Sequence, residues 1–72
     1  MKIRVQKGTV LTGEVVDVDD ITYVICFSND GEPLVVIEQV GQETVQVTHA
    51  GEKSFGHILD RFGPRELTGV TP

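Results

Sequence analysis

The sequence predicts a mainly β domain of five or six antiparallel strands, closed into a small half-open barrel or left as a bent sheet, with one short helix near the C-terminus. Two observations predict it. Up to residue 48, the chain consists of short runs in which polar and apolar residues alternate or β-branched residues predominate. These runs are separated by turns, most of which contain glycine. Over residues 55–62 the apolar spacing becomes helical. We therefore interpret residues 1–72 as a single domain.

The first strands are predicted from alternation. Residues 2–6 alternate polar and apolar side chains, which is typical of a half-exposed strand. Residues 10–18 alternate in the same way, and Gly13 within them predicts a bend or a bulge. Asp19 and Asp20 then predict a turn.

The central hairpin carries the strongest strand signal. Residues 21–28 are almost all β-branched or aromatic, and residues 29–31 (Asn-Asp-Gly) are a tight-turn signal. Pro33 begins the next strand, which continues to residue 40. A turn at residues 41–42 leads to a last alternating run over 43–48.

The register of this hairpin has two possible values. A three-residue loop places Ile25 opposite Val35, whereas a two-residue turn places it opposite Val36. In either register the hairpin is apolar on both sides, so its second side needs a cover. We expect that cover to be a second copy of the chain or another protein. The predicted interface residues are Val24, Cys26, Leu34 and Val36.

The helix is predicted from an apolar stripe. Phe55, Ile58, Leu59 and Phe62 follow the i, i+3, i+4, i+7 spacing of one helix face. Ser54 before the stripe is a predicted N-cap, and the glycine and proline at 63–64 end the helix. Residues 67–70 are a further candidate for an edge strand.

Charge limits the functions that the chain can perform. There are 11 acidic and 6 basic residues, with a net charge of −5, and no lysine or arginine lies between Gly8 and Glu52. This distribution argues against direct binding of nucleic acid, which needs a basic face. The acidic residues either keep the domain soluble or bind a basic protein surface. The candidates for such an acidic patch are Asp17, Asp19, Glu38 and Glu43.

Residues with metal-binding or catalytic chemistry do not form a recognisable motif. Cys26 is the only cysteine, so it forms no internal disulfide and is interpreted as a small buried apolar residue. An EF-hand beginning at Asp17 fails, because its sixth and twelfth positions are Thr22 and Ser28. We expect no metal, no cofactor and no enzymatic activity of a single chain; the alternative is an enzyme whose active site is a cleft shared between subunits. Since the sequence shows neither a signal peptide nor a membrane-spanning run, we expect a cytoplasmic protein.

Residues 12–18, Thr-Gly-Glu-Val-Val-Asp-Val, resemble the turn-into-strand segment of SH3-like small barrels such as the KOW modules. The resemblance implies an SH3-like form of the half-open barrel. KOW modules associate with nucleic acid and usually carry basic loops, whereas this segment is acidic. No functional residue is therefore transferred from that family.

Together these observations favour a small acidic protein–protein interaction domain that acts as a regulatory, inhibitory or assembly subunit. We expect it to form a homo-oligomer and to bind another protein with a basic surface, without contacting a membrane. The alternative is a small-barrel module associated with nucleic acid or with a nucleic-acid-processing enzyme, either by direct binding or through carboxylates that imitate phosphates.

Overall fold

The computed structural model describes residues 2–6 and 9–63. Their strands form one antiparallel sheet in the order of the chain, each strand pairing with the next. The sheet curls into a half-barrel with one short helix, which confirms the predicted mainly β half-open barrel. The elements are β1 (Lys2–Gln6), β2 (Thr9–Val18), β3 (Ile21–Phe27), β4 (Pro33–Gln39), β5 (Val45–His49) and α1 (Phe55–Leu59).

The turn between β2 and β3 lies where the sequence predicts it. Asp19 and Asp20 both have positive φ, at 52° and 65°. Two consecutive left-handed residues make a two-residue hairpin turn whose twist matches that of the flanking strands. Aspartate tolerates this conformation better than most residues other than glycine. Val18 consequently pairs directly with Ile21.

The loop between β3 and β4 has three residues. The backbone N–H of Ser28 donates to the Glu32 carbonyl at 2.8 Å, and the N–H of Gly31 donates back to the Ser28 carbonyl at 3.0 Å. Gly31 has a φ of 84°, the left-handed conformation that this type of loop requires at its last position. The loop itself therefore follows the first of the two predicted registers.

A register shift follows within the same hairpin. Phe27 pairs with Pro33, but the next residue, Cys26, pairs with Val35 beyond an extra residue, Leu34. From there on the second predicted register holds, and Ile25 pairs with Val36. Each predicted register thus applies to part of the hairpin, and the bulge between them determines which side chains share a face.

The helix covers one face of the sheet, which we call the helix face. Pairing across the strands places alternate residues of β2, β3 and β4 on this face, where they pack against α1 and the turn after it. The buried core consists of Tyr23, Ile25, Phe27, Val36, Phe55, Ile58 and Phe62, with Val16, Val18, Ile21 and Leu59 packed around it. The predicted apolar stripe of the helix therefore forms part of the core.

The helix is shorter than the predicted 55–62. It ends at Leu59, and the N–H of Phe62 donates to the Leu59 carbonyl at 3.1 Å in a tighter turn. This turn still directs Phe62 into the core. The predicted side-chain cap at Ser54 is wrong, since Ser54 makes no side-chain cap bond. Its backbone is already helical, with φ −80° and ψ −8°, whereas a capping serine normally has an extended backbone.

Gly13 does not mark a bulge, because the pairing of β2 with β3 continues through it without a register shift. Its role is steric. A Cβ atom built on Gly13 would lie 2.5 Å from Ile3 Cδ1 and 3.1 Å from Val24 Cγ1. The missing side chain therefore makes room for Ile3 of β1 to lie over the sheet.

Replacing Gly56 with alanine is expected to stabilise the protein. Gly56 lies within α1, and a Cβ atom added there meets nothing within 4 Å. Alanine is favoured over glycine in a helix by about 1 kcal/mol, which raises the thermal midpoint of a domain this small by roughly 4–8 °C. Thermal unfolding followed by circular dichroism measures the change.

Gly51→Ala is the matched control, since Gly51 also has free space around its Cβ position but a φ of +100°. There alanine is strained, so the midpoint should fall. A lower midpoint for Gly56→Ala would contradict the helical conformation at Gly56.

Some predictions lie outside the described residues. They include the possible edge strand at 67–70 and the proline after the helix. Among residues 2–6 and 9–63, no helix has the length and apolar character needed to cross a membrane.

Candidate interaction surface

The face opposite the helix, which we call the second face, carries a continuous apolar row. The strand registers place Val15 of β2 beside Val24 of β3, Val24 beside Ile37 of β4, and Ile37 beside Val47 of β5. Val24 and Ile37 are half-buried, whereas Val15 is 55% and Val47 44% exposed. We call these four residues the apolar row. It crosses four strands and is open to solvent at both ends.

The two flanks of the apolar row differ in character. On one flank the register aligns Gly13, Cys26, Val35 and His49, and Cys26 and Val35 are buried. The other flank lies toward the β2–β3 turn and is more polar. There Thr22 Oγ1 donates a hydrogen bond of 2.7 Å to the Asp17 carboxylate. Along β2 and β3 the row therefore has a polar border on the side of the Asp19–Asp20 turn, whereas Val45 of β5 on the same flank is apolar and 57% exposed.

The four predicted interface residues do not share one surface. Val24 and Cys26 are on the second face, but Cys26 is 0% exposed and offers no area to a partner. Burial also raises the pKa of the Cys26 thiol, so it is a poor nucleophile near neutral pH. Val36 lies on the helix face within the core, which corrects its assignment to the interface. Leu34 is the half-buried extra residue of the bulge, and that bulge is the reason for the correction.

The structure adds Val15, Ile37 and Val47 to the surface. One of the two hairpin registers considered from the sequence, that of the two-residue turn, already places Ile37 beside Val24. Alternation also places Val45 and Val47 on the same side of their strand. No signal in the sequence relates the β5 residues to those of β2, because the intervening bulge decides the alignment.

The predicted acidic residues are spread over different parts of the fold. Asp17 lies on the second face, whereas Glu38 pairs with Tyr23 on the helix face. Asp19 is in the β2–β3 turn and Glu43 in the β4–β5 loop, at the same end of the meander. The sheet therefore separates Glu38 from Asp17, and the four carboxylates do not form a single patch.

Glu38 belongs instead to a polar cluster that holds the end of the helix. Arg61 Nη1 donates a hydrogen bond of 2.7 Å to Tyr23 Oη and lies 3.7 Å from Glu38 Oε2. The hydrogen bond to Tyr23 raises the pKa of Arg61, and the charges of Glu38 and Asp19 add to this effect. The Tyr23 ring also meets Phe62 edge to face, with centroids 4.9 Å apart. This cluster links strands to the segment after α1, so we assign it a structural role.

The described residues also bear on metal binding. Within residues 2–6 and 9–63, no three or more histidine, cysteine or acidic side chains are grouped to hold a metal ion. His49 and His57 are both exposed and lie on different elements. The surface of the described part is therefore distinguished by the apolar row rather than by a cluster of reactive groups.

Comparisons of the chain with protein-family models, curated proteins and solved structures gave no significant match.

Proposed function

We propose that this chain is a protein–protein interaction domain that serves as a small regulatory, inhibitory or assembly subunit, and that it binds through the apolar row. One observation carries the proposal: the valine side chains at both ends of the row are about half exposed. A solvated antiparallel sheet normally alternates to polar residues on its outer face. Contiguous exposed apolar surface usually marks a binding site.

The charge around the row favours a partner with basic groups at its rim. Asp17 borders the row on the second face, and Asp19, Asp20 and Glu43 lie at the same end of the sheet. The chain carries a net charge of −5. Complementary charges at the rim of an interface increase the rate of association and its sensitivity to salt, while the apolar centre supplies most of the affinity. A protein with an apolar strip flanked by lysine or arginine fits this surface.

Val15→Lys tests the proposal, with Val10→Lys as its matched control. Both valines are in β2 and are similarly exposed, at 55% and 50%, but they lie on opposite sides of the sheet. A lysine at residue 15 places a charge within the row, so binding of a partner should weaken by at least about tenfold, or 1.4 kcal/mol. The partner is captured from the native cell with the unmodified chain, purified, and titrated against both variants.

Equal binding by the unmodified chain and Val15→Lys would contradict the proposal. So would equal losses for both variants, since the control adds the same charge on the other side. Capture of DNA or RNA that depends on Lys2 and Arg4 would favour the nucleic-acid alternative instead. Thermal midpoints of both variants must stay near that of the unmodified chain for the comparison to hold.

A further inference from the structure

Strand β5 lies at an edge of the sheet formed by the described residues. The hydrogen bonds between β5 and β4 show which backbone groups of β5 point away from β4, toward the open edge. The N–H of Val40 donates to the Thr44 carbonyl at 3.0 Å, and the N–H of Ala50 donates to the Leu34 carbonyl at 2.8 Å. The register between these two pairs is regular. Since hydrogen-bonded pairs alternate in an antiparallel ladder, the even-numbered residues of β5 bond to β4 and the odd-numbered ones direct their backbone groups outward.

The backbone N–H and C=O groups of His49, which point toward the open edge, already have hydrogen-bond partners. The N–H of His49 donates to the Glu52 carboxylate, and the N–H of Glu52 donates to the His49 carbonyl at 3.1 Å. Val45 and Val47 make no backbone hydrogen bond outward to any residue that the structure describes. The open part of the edge is therefore short: it consists of the N–H and C=O groups of these two valines.

The open part of this edge lacks three of the features by which proteins block edge pairing, namely charged side chains, proline and a bulge. Residues 44–51 contain no Asp, Glu, Lys or Arg and no proline, and β5 pairs with β4 without a bulge. Only one stretch without Asp, Glu, Lys or Arg is longer: residues 21–29, which include the central strand β3. In a chain with a net charge of −5, a second copy meets few like charges along this stretch.

The sequence of the edge is symmetric. Residues 44–48 read Thr-Val-Gln-Val-Thr, which is the same in both directions. In an antiparallel pair of two such strands centred on Gln46, threonine lies opposite threonine and valine opposite valine. The residues that then exchange hydrogen bonds are Val45 of one copy and Val47 of the other, the two residues whose backbone groups are open. Each copy thereby satisfies all the open groups of its partner.

We propose that two copies of the chain pair through β5, antiparallel, around a two-fold axis at Gln46, so that the two sheets join into one. The inference rests on the proposed function, because the second copy extends the apolar row through which a further, basic partner is proposed to bind. In this arrangement Val47 of one copy contacts Val45 of the other on the second face. The row therefore continues across the axis instead of ending in solvent. A two-fold interface of this kind uses the same patch twice and closes at two copies.

Charge at Gln46 tests this register. Gln46 is exposed and pairs with Glu38 on the helix face, so a lysine there lies beside an acidic neighbour in the single chain and the fold should be retained. Across the axis, two lysines would lie directly opposite each other. We expect the unmodified chain to sediment as a dimer and Gln46→Lys to weaken the dimer by at least about tenfold. Val10→Lys, which adds the same charge away from β5, should remain a dimer.

A charge exchange makes the test specific for this arrangement. Gln46→Glu alone should also dissociate, whereas a mixture of the lysine and glutamate variants should form a mixed dimer, since the two side chains meet at the axis. In the unmodified chain, the amides of Val45 and Val47 should become protected from hydrogen exchange as the concentration rises. That measurement needs no variant and does not depend on how a variant folds.

Two results would overturn the inference, and they differ in what they mean for the proposed function. If the unmodified chain is a monomer at all concentrations, the β5 edge does not pair and the inference is wrong. The proposed function is then still tested by comparing the partner affinity of Val15→Lys with that of the unmodified chain. If the dimer withstands both Gln46 variants but dissociates in Val15→Lys, the copies pack through the apolar row face to face. The proposed function would then stand without edge pairing.

Discussion

Replacing Phe62 with alanine is expected to unfold a large fraction of the protein. Phe62 is 7% exposed and its ring packs edge to face on Tyr23, in the core between the sheet and the segment after α1. Removing a buried phenylalanine side chain costs about 3–5 kcal/mol. The core of a domain this small supplies only roughly 3–5 kcal/mol of net stability. The loss is therefore comparable to the whole free energy of unfolding.

Thermal and urea unfolding measure this loss, and the midpoint should fall by more than about 10 °C. Tyr23 is the only tyrosine and the chain has no tryptophan, so the tyrosine band of the near-ultraviolet circular dichroism spectrum reports on the neighbour of Phe62. Phe62→Leu is the control, because it keeps most of the apolar volume and should cost much less. An unchanged midpoint for Phe62→Ala would show that Phe62 is a surface residue, contrary to its packing in the structure.

Replacing Val24 with glutamate is expected to have the second large effect. Val24 lies in the middle of the apolar row, between Val15 and Ile37, and is half-buried. Its Cγ1 atom also lies close to Gly13, over which the Ile3 side chain passes. A carboxylate here has apolar neighbours on both sides, and an uncompensated charge at a partly buried position costs up to several kcal/mol. We expect unfolding or, at the least, loss of partner binding.

The control for this change is Val24→Thr, which keeps the shape of the side chain and adds no charge. It should remain folded with a smaller loss of stability, since its hydroxyl still lacks a strong partner there. Circular dichroism and titration with the captured partner separate loss of fold from loss of partner binding. If Val24→Glu has the stability and the partner affinity of the unmodified chain, the second face is solvated around Val24 and the apolar row is not a binding surface.

Pairing through β5 would also change what a further partner meets. A single chain offers one apolar row that ends at Val47, whereas a pair offers two rows joined at the axis through Val45 and Val47. The acidic groups at the β2–β3 turns would then flank a longer apolar strip. A larger contiguous apolar surface contributes more to affinity than the same residues presented separately. Dimerisation and partner binding are therefore coupled in this proposal, and the variants at residues 15 and 46 separate them.

Local patterns in the sequence were enough to predict the strands, the turns at Asp19–Asp20 and at residues 29–31, and the apolar stripe of the helix. Each of these depends on a few neighbouring residues: alternation over a strand, positive φ at a turn, or i, i+3, i+4 spacing in a helix. The same local reasoning identified the hairpin as apolar on both sides. It did not identify the capping conformation of Ser54, whose backbone joins the helical turn.

The tertiary structure alone decided which side chains share a surface. The extra residue Leu34 shifts the register by one, and a shift of one residue moves a strand's side chains to the opposite face. Val36 therefore belongs to the core, and Ile37 joins the apolar row. The contact of Arg61 with Tyr23 links residues 38 positions apart, beyond the reach of any local pattern. The open edge at β5 likewise depends on the order of the whole sheet, which is set by pairing between strands and not by the residues of β5 themselves.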